Sequence, residues 1–133
     1  MKLRFKIITC IGILLFVVNY ANGQTNKRMM RIAKVEVDAK QLKAYKAALS
    51  EQMQTAIHEE PGVLSYYAVA DKKQPTQITI FEIYANQKAY EKHILTPHFK
   101  KYKATVEKMV KNLELVDVDL VGSFHQPGIW LSV

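Results

Sequence analysis

From Met30 onward the chain switches between two hydrophobic periods. Met30 to Val37 alternates, with Arg31, Ala33, Val35 and Val37 on one face and Ile32, Lys34 and Glu36 on the other, which predicts a first strand. The period then becomes helical. Leu42, Tyr45, Leu49, Met53, Ala56 and Ile57 recur every three or four residues, with Lys40, Lys43, Lys46 and Glu51 mostly outside the stripe. Asp38 followed by Gln41 predicts a capping box at its start, and Pro61-Gly62 ends the helix and turns the chain. Val63 to Asp71 and Gln77 to Tyr84 read as two further strands across a polar loop containing Pro75. In the third strand Ile78, Ile80, Glu82 and Tyr84 share one face, and Thr79, Phe81 and Ile83 the other. Asn86 caps a short helix to Leu95. Thr96 caps a second piece with Pro97 at its first position and Phe99, Tyr102, Val106, Met109 and Val110 as its inner stripe. Leu113 to Phe124 is the predicted fourth strand, with Val116, Val118 and Leu120 alternating against Asp117 and Asp119.

The order β-α-β-β-α-β is the split βαβ arrangement, a ferredoxin-like α+β fold with one antiparallel sheet and helices on one face. Strands 2 and 3 are apolar on both faces, so Tyr67, Val69, Phe81 and Ile83 lack a helix to cover them. The simplest cover is a second copy of the same sheet, which predicts a homodimer. Ile129 and Trp130 of the tail, His125 to Val133, are candidates for closing it.

The amino end has a different character. Lys2, Arg4 and Lys6 precede an apolar run from Ile7 to Val18, and Asn19 to Gly23 turns polar and small. That order predicts a secretory signal peptide over residues 1–23, cut after Gly23 with Ala21 and Gly23 in the peptidase pockets. Residues 24–29 would be a flexible lead-in, 30–124 the domain and 125–133 the tail. An uncleaved anchor is the weaker alternative, because a spanning helix needs about 20 apolar residues. Lipid attachment at Cys10 is weaker still, since Cys10 lies early in the run.

Cleavage changes the charge argument. The full chain of 133 residues carries 19 Lys and Arg against 12 Asp and Glu, or +7; without the three leading bases it falls to +4. The single Cys also leaves, so a thiol nucleophile, a thiolate metal site and a disulfide are excluded for the exported domain. A charge of +4 on an exported domain does not call for nucleic acid, and Lys100, Lys101, Lys103, Lys108 and Lys111 read as a solvated face.

Four segments are specific in combination: Glu60-Pro61-Gly62-Val63-Leu64-Ser65-Tyr66, Phe81-Glu82-Ile83-Tyr84, Ala89-Tyr90-Glu91-Lys92-His93 and Thr96-Pro97-His98-Phe99. Together they resemble the antibiotic biosynthesis monooxygenase family, in particular its small quinol-monooxygenase-like members, over about Met30 to Val121. The resemblance implies a dimeric α/β barrel of two ferredoxin-like protomers, with a pocket between each sheet and its helices. It also implies oxygenation of electron-rich aromatics or quinols without metal or flavin; relatives degrade haem, isomerise small sugars or have no known activity. His93 and His98 fall on the family's two histidine positions and Glu82 on its strand-3 acid. Tyr84 stands where haem-degrading relatives carry a pocket Trp. Two positions depart: Ala33 stands where cofactor-free oxygenating relatives place an Asn, and Tyr102 or Lys103 where the haem-degrading triad has its His.

Taken as chemistry, His93 is the candidate base near neutral pH, paired with Glu82; its alternative is a buried structural His bonded to that acid or to a carbonyl. Glu82 sits among apolar neighbours and needs a partner, His93 or a Lys. Tyr66, Tyr84 and His98 are candidates for orienting the substrate, with Phe99 and Tyr102 as pocket wall. His98 lies in the first turn of its helix, where the dipole favours the neutral ring; a surface or capping role is the alternative. His93 and His98 are five apart across a Thr-Pro break, so they lack the spacing of a helical metal pair, and even with His125 no metal is expected. The expectation is an exported homodimer that uses dioxygen on a small aromatic or quinone-like compound without a cofactor. A non-catalytic small-molecule-binding or stress-response module of the same fold is the alternative.

Overall fold

The computed structural model describes residues 27–124 and residue 126. The predicted leader with Cys10, most of the lead-in, His125 and the tail with Ile129 and Trp130 lie outside them. The elements are β1 (Met29–Val37), α1 (Leu42–Glu59), β2 (Val63–Ala70), β3 (Gln77–Tyr84), α2 (Gln87–His93), α3 (Pro97–Val106) and β4 (Val110–Asp117), with a 3-10 turn at Ala39–Gln41 before α1. The strands form one antiparallel sheet in the order β2-β3-β1-β4, the ferredoxin-like arrangement. Among the described residues no helix is long and apolar enough to cross a membrane.

Caps explain where the helices begin. Asn86 accepts from the Ala89 N–H, and Thr96 accepts from the Phe99 N–H with Pro97 in first position. The capping box at Asp38 is corrected. Asp38 accepts from Lys40 N–H in the 3-10 turn, but the Gln41 amide donates to the Lys108 carbonyl at 3.0 Å and ties the turn to the β4 approach.

Two boundaries differ from expectation. Met109 and Val110 lie beyond α3, and Val110 opens β4 by pairing with Val37. β4 ends at Asp117, opposite Arg31, and the Val118 N–H bonds the Met30 carbonyl; beyond this β1 has almost no edge left to pair with, so Leu120 and Phe124 are not in a ladder.

The core lies between the helices and the inner sheet face. Ala33, Val35 and Val37 of β1 and Ile78 and Ile80 of β3 meet Tyr45 and Leu49 of α1, with Val106 closing from α3. A smaller cluster joins Ala56, Val63 and Tyr84. The buried positions of α1 are Tyr45, Leu49, Gln52 and Ala56, whereas Ile57, expected in the stripe, is 43% exposed. Gly62 is needed at the turn before β2 because a Cβ there would lie 2.7 Å from that of Ala89, well inside contact distance. On the outer sheet face Ile32, Phe81, Ile83 and Val116 are only half-buried, and Tyr67 and Val69 are 45% and 63% exposed.

Candidate functional site

Because side chains alternate along a strand, the register sets a polar row on an otherwise apolar inner face. Tyr66 of β2 pairs with Glu82 of β3, Glu82 with Arg31 of β1, and Arg31 with Asp117 of β4. Above this row, under α1 and α3, lies a cavity of about 590 Å³. Its wall includes Tyr45, Met53, Tyr66, Tyr84, Phe99 and Tyr102, with Arg31, Gln52 and Glu82 as polar groups. Lys103, Ala104 and Glu107 on the α3 side and Leu113 and Leu115 on β4 also line it and are exposed, so it opens between α3 and β4.

Glu82 is the carboxyl in this cavity. Burial raises it from the ordinary range to about 7, and the Tyr84 hydroxyl and the Arg31 charge oppose that rise. The Tyr84 hydroxyl donates to Glu82 Oε2 at 3.1 Å. Arg31 is held by Asp117 at 2.8 Å and by the face of Tyr90, 4.3 Å from the ring centroid. The phenols of Tyr66, Tyr84 and Tyr102 are all raised, chiefly by burial, so they serve as neutral hydrogen-bonding groups. Tyr102 is bonded to Tyr45, oxygen to oxygen, at 3.0 Å.

The expected pairing of His93 with Glu82 is corrected. His93 has no exposed surface and does not line the cavity; its Nδ1 lies 2.8 Å from Glu60 Oε1 and its Nε2 2.9 Å from the Tyr66 hydroxyl. Burial lowers its pKa, opposed by the hydrogen bond and charge of Glu60. His93 therefore stands behind the tyrosine wall, one hydroxyl removed from the cavity. His98, expected to orient substrate, is also placed elsewhere. Its Nε2 lies 2.7 Å from the same Glu60 oxygen, and it lines a separate small cleft between α1 and α3. Of the seven residues singled out from the sequence, Glu82, Tyr66, Tyr84, Phe99 and Tyr102 reach the cavity and the two histidines do not.

Glu60, His93 and His98 bring one ligand atom each to within 4.8 Å of one another. The shared Glu60 oxygen already joins the two rings by short hydrogen bonds, so the cluster is satisfied as a hydrogen-bonded triad.

Three residues of the site escaped sequence reasoning: Arg31 and Gln52, which line the cavity, and Glu60, which bonds the two histidines outside it. Glu60 was legible only as part of a turn motif. Arg31 had a signal, a cation in phase with Ala33 and Val35 on the inner face. Gln52 sits one residue before Met53, which sequence spacing places in the stripe; its side-chain amide is buried, 5% exposed, with no partner for either polar atom among the described residues.

The fold is thus a ferredoxin-like α+β domain with an aromatic-walled cavity above its sheet. The family model for antibiotic biosynthesis monooxygenase matches residues 28–105, and the chain belongs to that family. A crystal structure from Bacteroides thetaiotaomicron, provisionally named an antibiotic biosynthesis monooxygenase, is 42% identical, covers 80% of this chain and 97% of its own, and superposes with a TM-score of 0.71. A provisionally named monooxygenase from Lactobacillus acidophilus is 27% identical over 71% of this chain and 51% of its own, with a TM-score of 0.66. A Nitrosomonas europaea structure, at 21% identity over 71% of this chain and 90% of its own, shares the fold with a TM-score of 0.67. No curated protein matches the chain. The family and these neighbours support a monooxygenase-like function.

Proposed function

We propose that the protein is a cofactor-independent monooxygenase acting on a small aromatic or quinol-like compound. The observation that carries this reading is the aromatic-walled cavity of about 590 Å³ with one acid, Glu82, raised to about 7 by burial. That volume suits a compound of two or three rings. A phenol or hydroquinone that loses a proton becomes electron-rich enough to reduce dioxygen itself. One oxygen atom then enters the ring and the other leaves as water, so the protein needs a base, an orienting group and a dry site. Glu82 is the base that reaches the substrate, and Tyr84 and Arg31 flank it. Gln52 borders the cavity with both polar atoms of its amide covered and, among the described residues, unpaired, so a turn of the side chain would present a donor and an acceptor to a ring hydroxyl beside a carbonyl or second hydroxyl.

The working unit in this reading is an exported homodimer with the outer sheet faces opposed, which would cover Tyr67 and Val69. The export signal is read from residues 1–23. A second reading, a binding module without turnover, is favoured by Ala33: it lines the cavity where oxygenating relatives carry a polar Asn, and supplies no hydrogen bond. Incubation with reduced menadione under oxygen decides between the two. Oxygen uptake well above buffer that collapses in Glu82→Gln supports the oxygenase. No uptake with several hydroquinones, despite their binding, establishes the module.

A further inference from the structure

One continuous line of hydrogen-bonding groups runs from the cavity to the protein surface. It begins at Glu82 Oε2, passes to the Tyr84 hydroxyl at 3.1 Å and to the Tyr66 hydroxyl at 2.7 Å. It continues to His93 Nε2 at 2.9 Å, from His93 Nδ1 to Glu60 Oε1 at 2.8 Å, and to His98 Nε2 at 2.7 Å. His98 is partly exposed, and its Nδ1 faces the exposed Glu59 at 3.6 Å. Four separate elements and a turn supply these groups: β3, β2, α2, α3 and the Glu60 end of α1. We propose that Glu82, Tyr84, Tyr66 and His93 form a proton relay, through which the cavity carboxyl passes a proton taken from the substrate to His93 and, by way of Glu60, to solvent.

The line has two complete hydrogen-bond arrangements. In the first, Glu82 is protonated and donates to Tyr84, Tyr84 donates to Tyr66, Tyr66 donates to His93 Nε2, and His93 Nδ1–H donates to Glu60. In the second every donor between Glu82 and His93 Nε2 turns round. Tyr84 donates to ionised Glu82, Tyr66 donates to Tyr84, and a cationic His93 donates from Nε2 to Tyr66 and from Nδ1 to Glu60. Passage from the first to the second breaks the Glu82, Tyr84 and Tyr66 O–H bonds and makes two new phenolic O–H bonds and one N–H bond. The net change is one proton moved from Glu82 to His93, with the total charge constant. Neither tyrosine ends as a phenolate, which fits their raised phenols. Release follows when Glu60, whose side chain is 12% exposed, accepts the Nδ1 proton and gives it up to solvent, while the His98 Nε2–H goes on donating to the same carboxylate. Glu82 thus recovers its basic form without water entering the cavity.

The charged and titratable groups around the two ends are consistent with this exchange. Glu82 faces Arg31 from β1, Tyr45 from α1, Tyr66 from β2, Tyr84 on its own strand and Tyr102 from α3. His93 faces Glu60 from the α1 end, His98 from α3, and Tyr66 and Tyr84 from the sheet. Burial raises the acid and lowers the histidine, so the first arrangement, with the proton on Glu82, is the resting one and the second is reached transiently.

The relay deepens the oxygenase reading, but its first test needs no substrate. NMR of the imidazole nitrogens, with His93 assigned by a His93→Gln variant, follows the ring from pH 5 to 9 in the full chain. A relay makes His93 report two steps, its own and that of Glu82. Tyr66→Phe keeps the ring and removes the middle hydroxyl, and Glu82→Gln removes the far end; each should leave a single, shifted step. His58→Gln, on an exposed position, is the control and should change neither step. A His93 titration that is identical in wild type, Tyr66→Phe and Glu82→Gln overturns the relay. Oxygen uptake with reduced menadione is the second test. Tyr66→Phe should lower kcat about tenfold or more with KM little changed and shift the alkaline limb of the pH profile. Unaltered kcat and pH profile in that variant would also overturn the relay. Coupled titration without any oxygen uptake would leave the relay standing and refute the oxygenase reading instead.

Discussion

Gln52 gives the sharpest test of how the cavity is built. It lies on the inward face of α1 between Leu49 and Ala56, 5% exposed, and neither its Nε2 nor its Oε1 has a partner among the described residues. An unpaired buried donor or acceptor costs about 1–3 kcal/mol, whereas an apolar group of the same shape costs little. Gln52→Met keeps the unbranched shape and almost the same helix propensity, so the removed polar penalty dominates the difference. The variant should gain about 1–3 kcal/mol of stability. For a domain of this size that is roughly 5 °C or more in Tm. The gain should come with a loss. Under anaerobic conditions, with no turnover, reduced menadione at 100 times its Kd should stabilise the wild type by about 2.7 kcal/mol. The variant, lacking the amide, should bind about tenfold more weakly and show about 1.4 kcal/mol less of this shift at the same concentration. Differential scanning calorimetry with and without ligand measures both quantities. A variant with an equal or lower Tm would refute the claim that the amide is unpaid in the free protein. A higher Tm with undiminished ligand stabilisation would refute its role in binding.

Other outcomes follow from the same geometry. Glu82 is raised from 4.5 to about 7, so between those pH values the folded state holds more protons than the unfolded one and stability falls as pH rises. Glu82→Gln should therefore be more stable than wild type by about 3 kcal/mol at pH 8, with the gap closing toward pH 4; urea unfolding at several pH values measures it, and a pH-independent gap would contradict the burial argument. His93 acts in the opposite sense: its lowered pKa means that stability is present above the unfolded value near 6.5 and is lost as pH falls, a loss that should be reduced in His93→Gln. Gly62→Ala should cost about 1–3 kcal/mol, because its Cβ would meet that of Ala89 at 2.7 Å, and adding Ala89→Gly should recover part of the loss in thermal unfolding. Val69→Lys places a charge on the exposed outer face, so analytical ultracentrifugation should show a dimer for wild type and a monomer for the variant; a monomeric wild type would remove the dimer from the proposal.

The period of apolar residues made the secondary structure legible, and with it the sheet's inner face. β3 runs over Gln77–Tyr84 as its alternation indicates, and Ile78, Ile80 and Tyr84 face inward. Periodicity is blind where polar residues are buried or where a partner strand sets the length. Gln52 shares the buried line of α1 with Tyr45, Leu49 and Ala56, and Met53 beside it is only partly buried, so position on the helix, not hydrophobicity, decides which side chain faces in. β4 stops at Asp117 because its partner runs out, although the alternation continues through Leu120.

The histidines show a deeper limit. His93 and Glu82 are both inward-facing and chemically suited to each other, and one-dimensional reasoning pairs them. Yet Glu60, 33 residues before His93, ends α1 at the point where α2 and α3 also converge, and it takes both rings on one oxygen. That arrangement commits both rings to the Glu60 side, away from the cavity wall. It also explains why Glu82 sits apart from any histidine cation, with Arg31 already engaged by Asp117 and Tyr90, and so remains raised to about 7. The same displacement that takes His93 away from the substrate leaves the cavity with a base matched to neutral pH, connected to that histidine through two tyrosine hydroxyls.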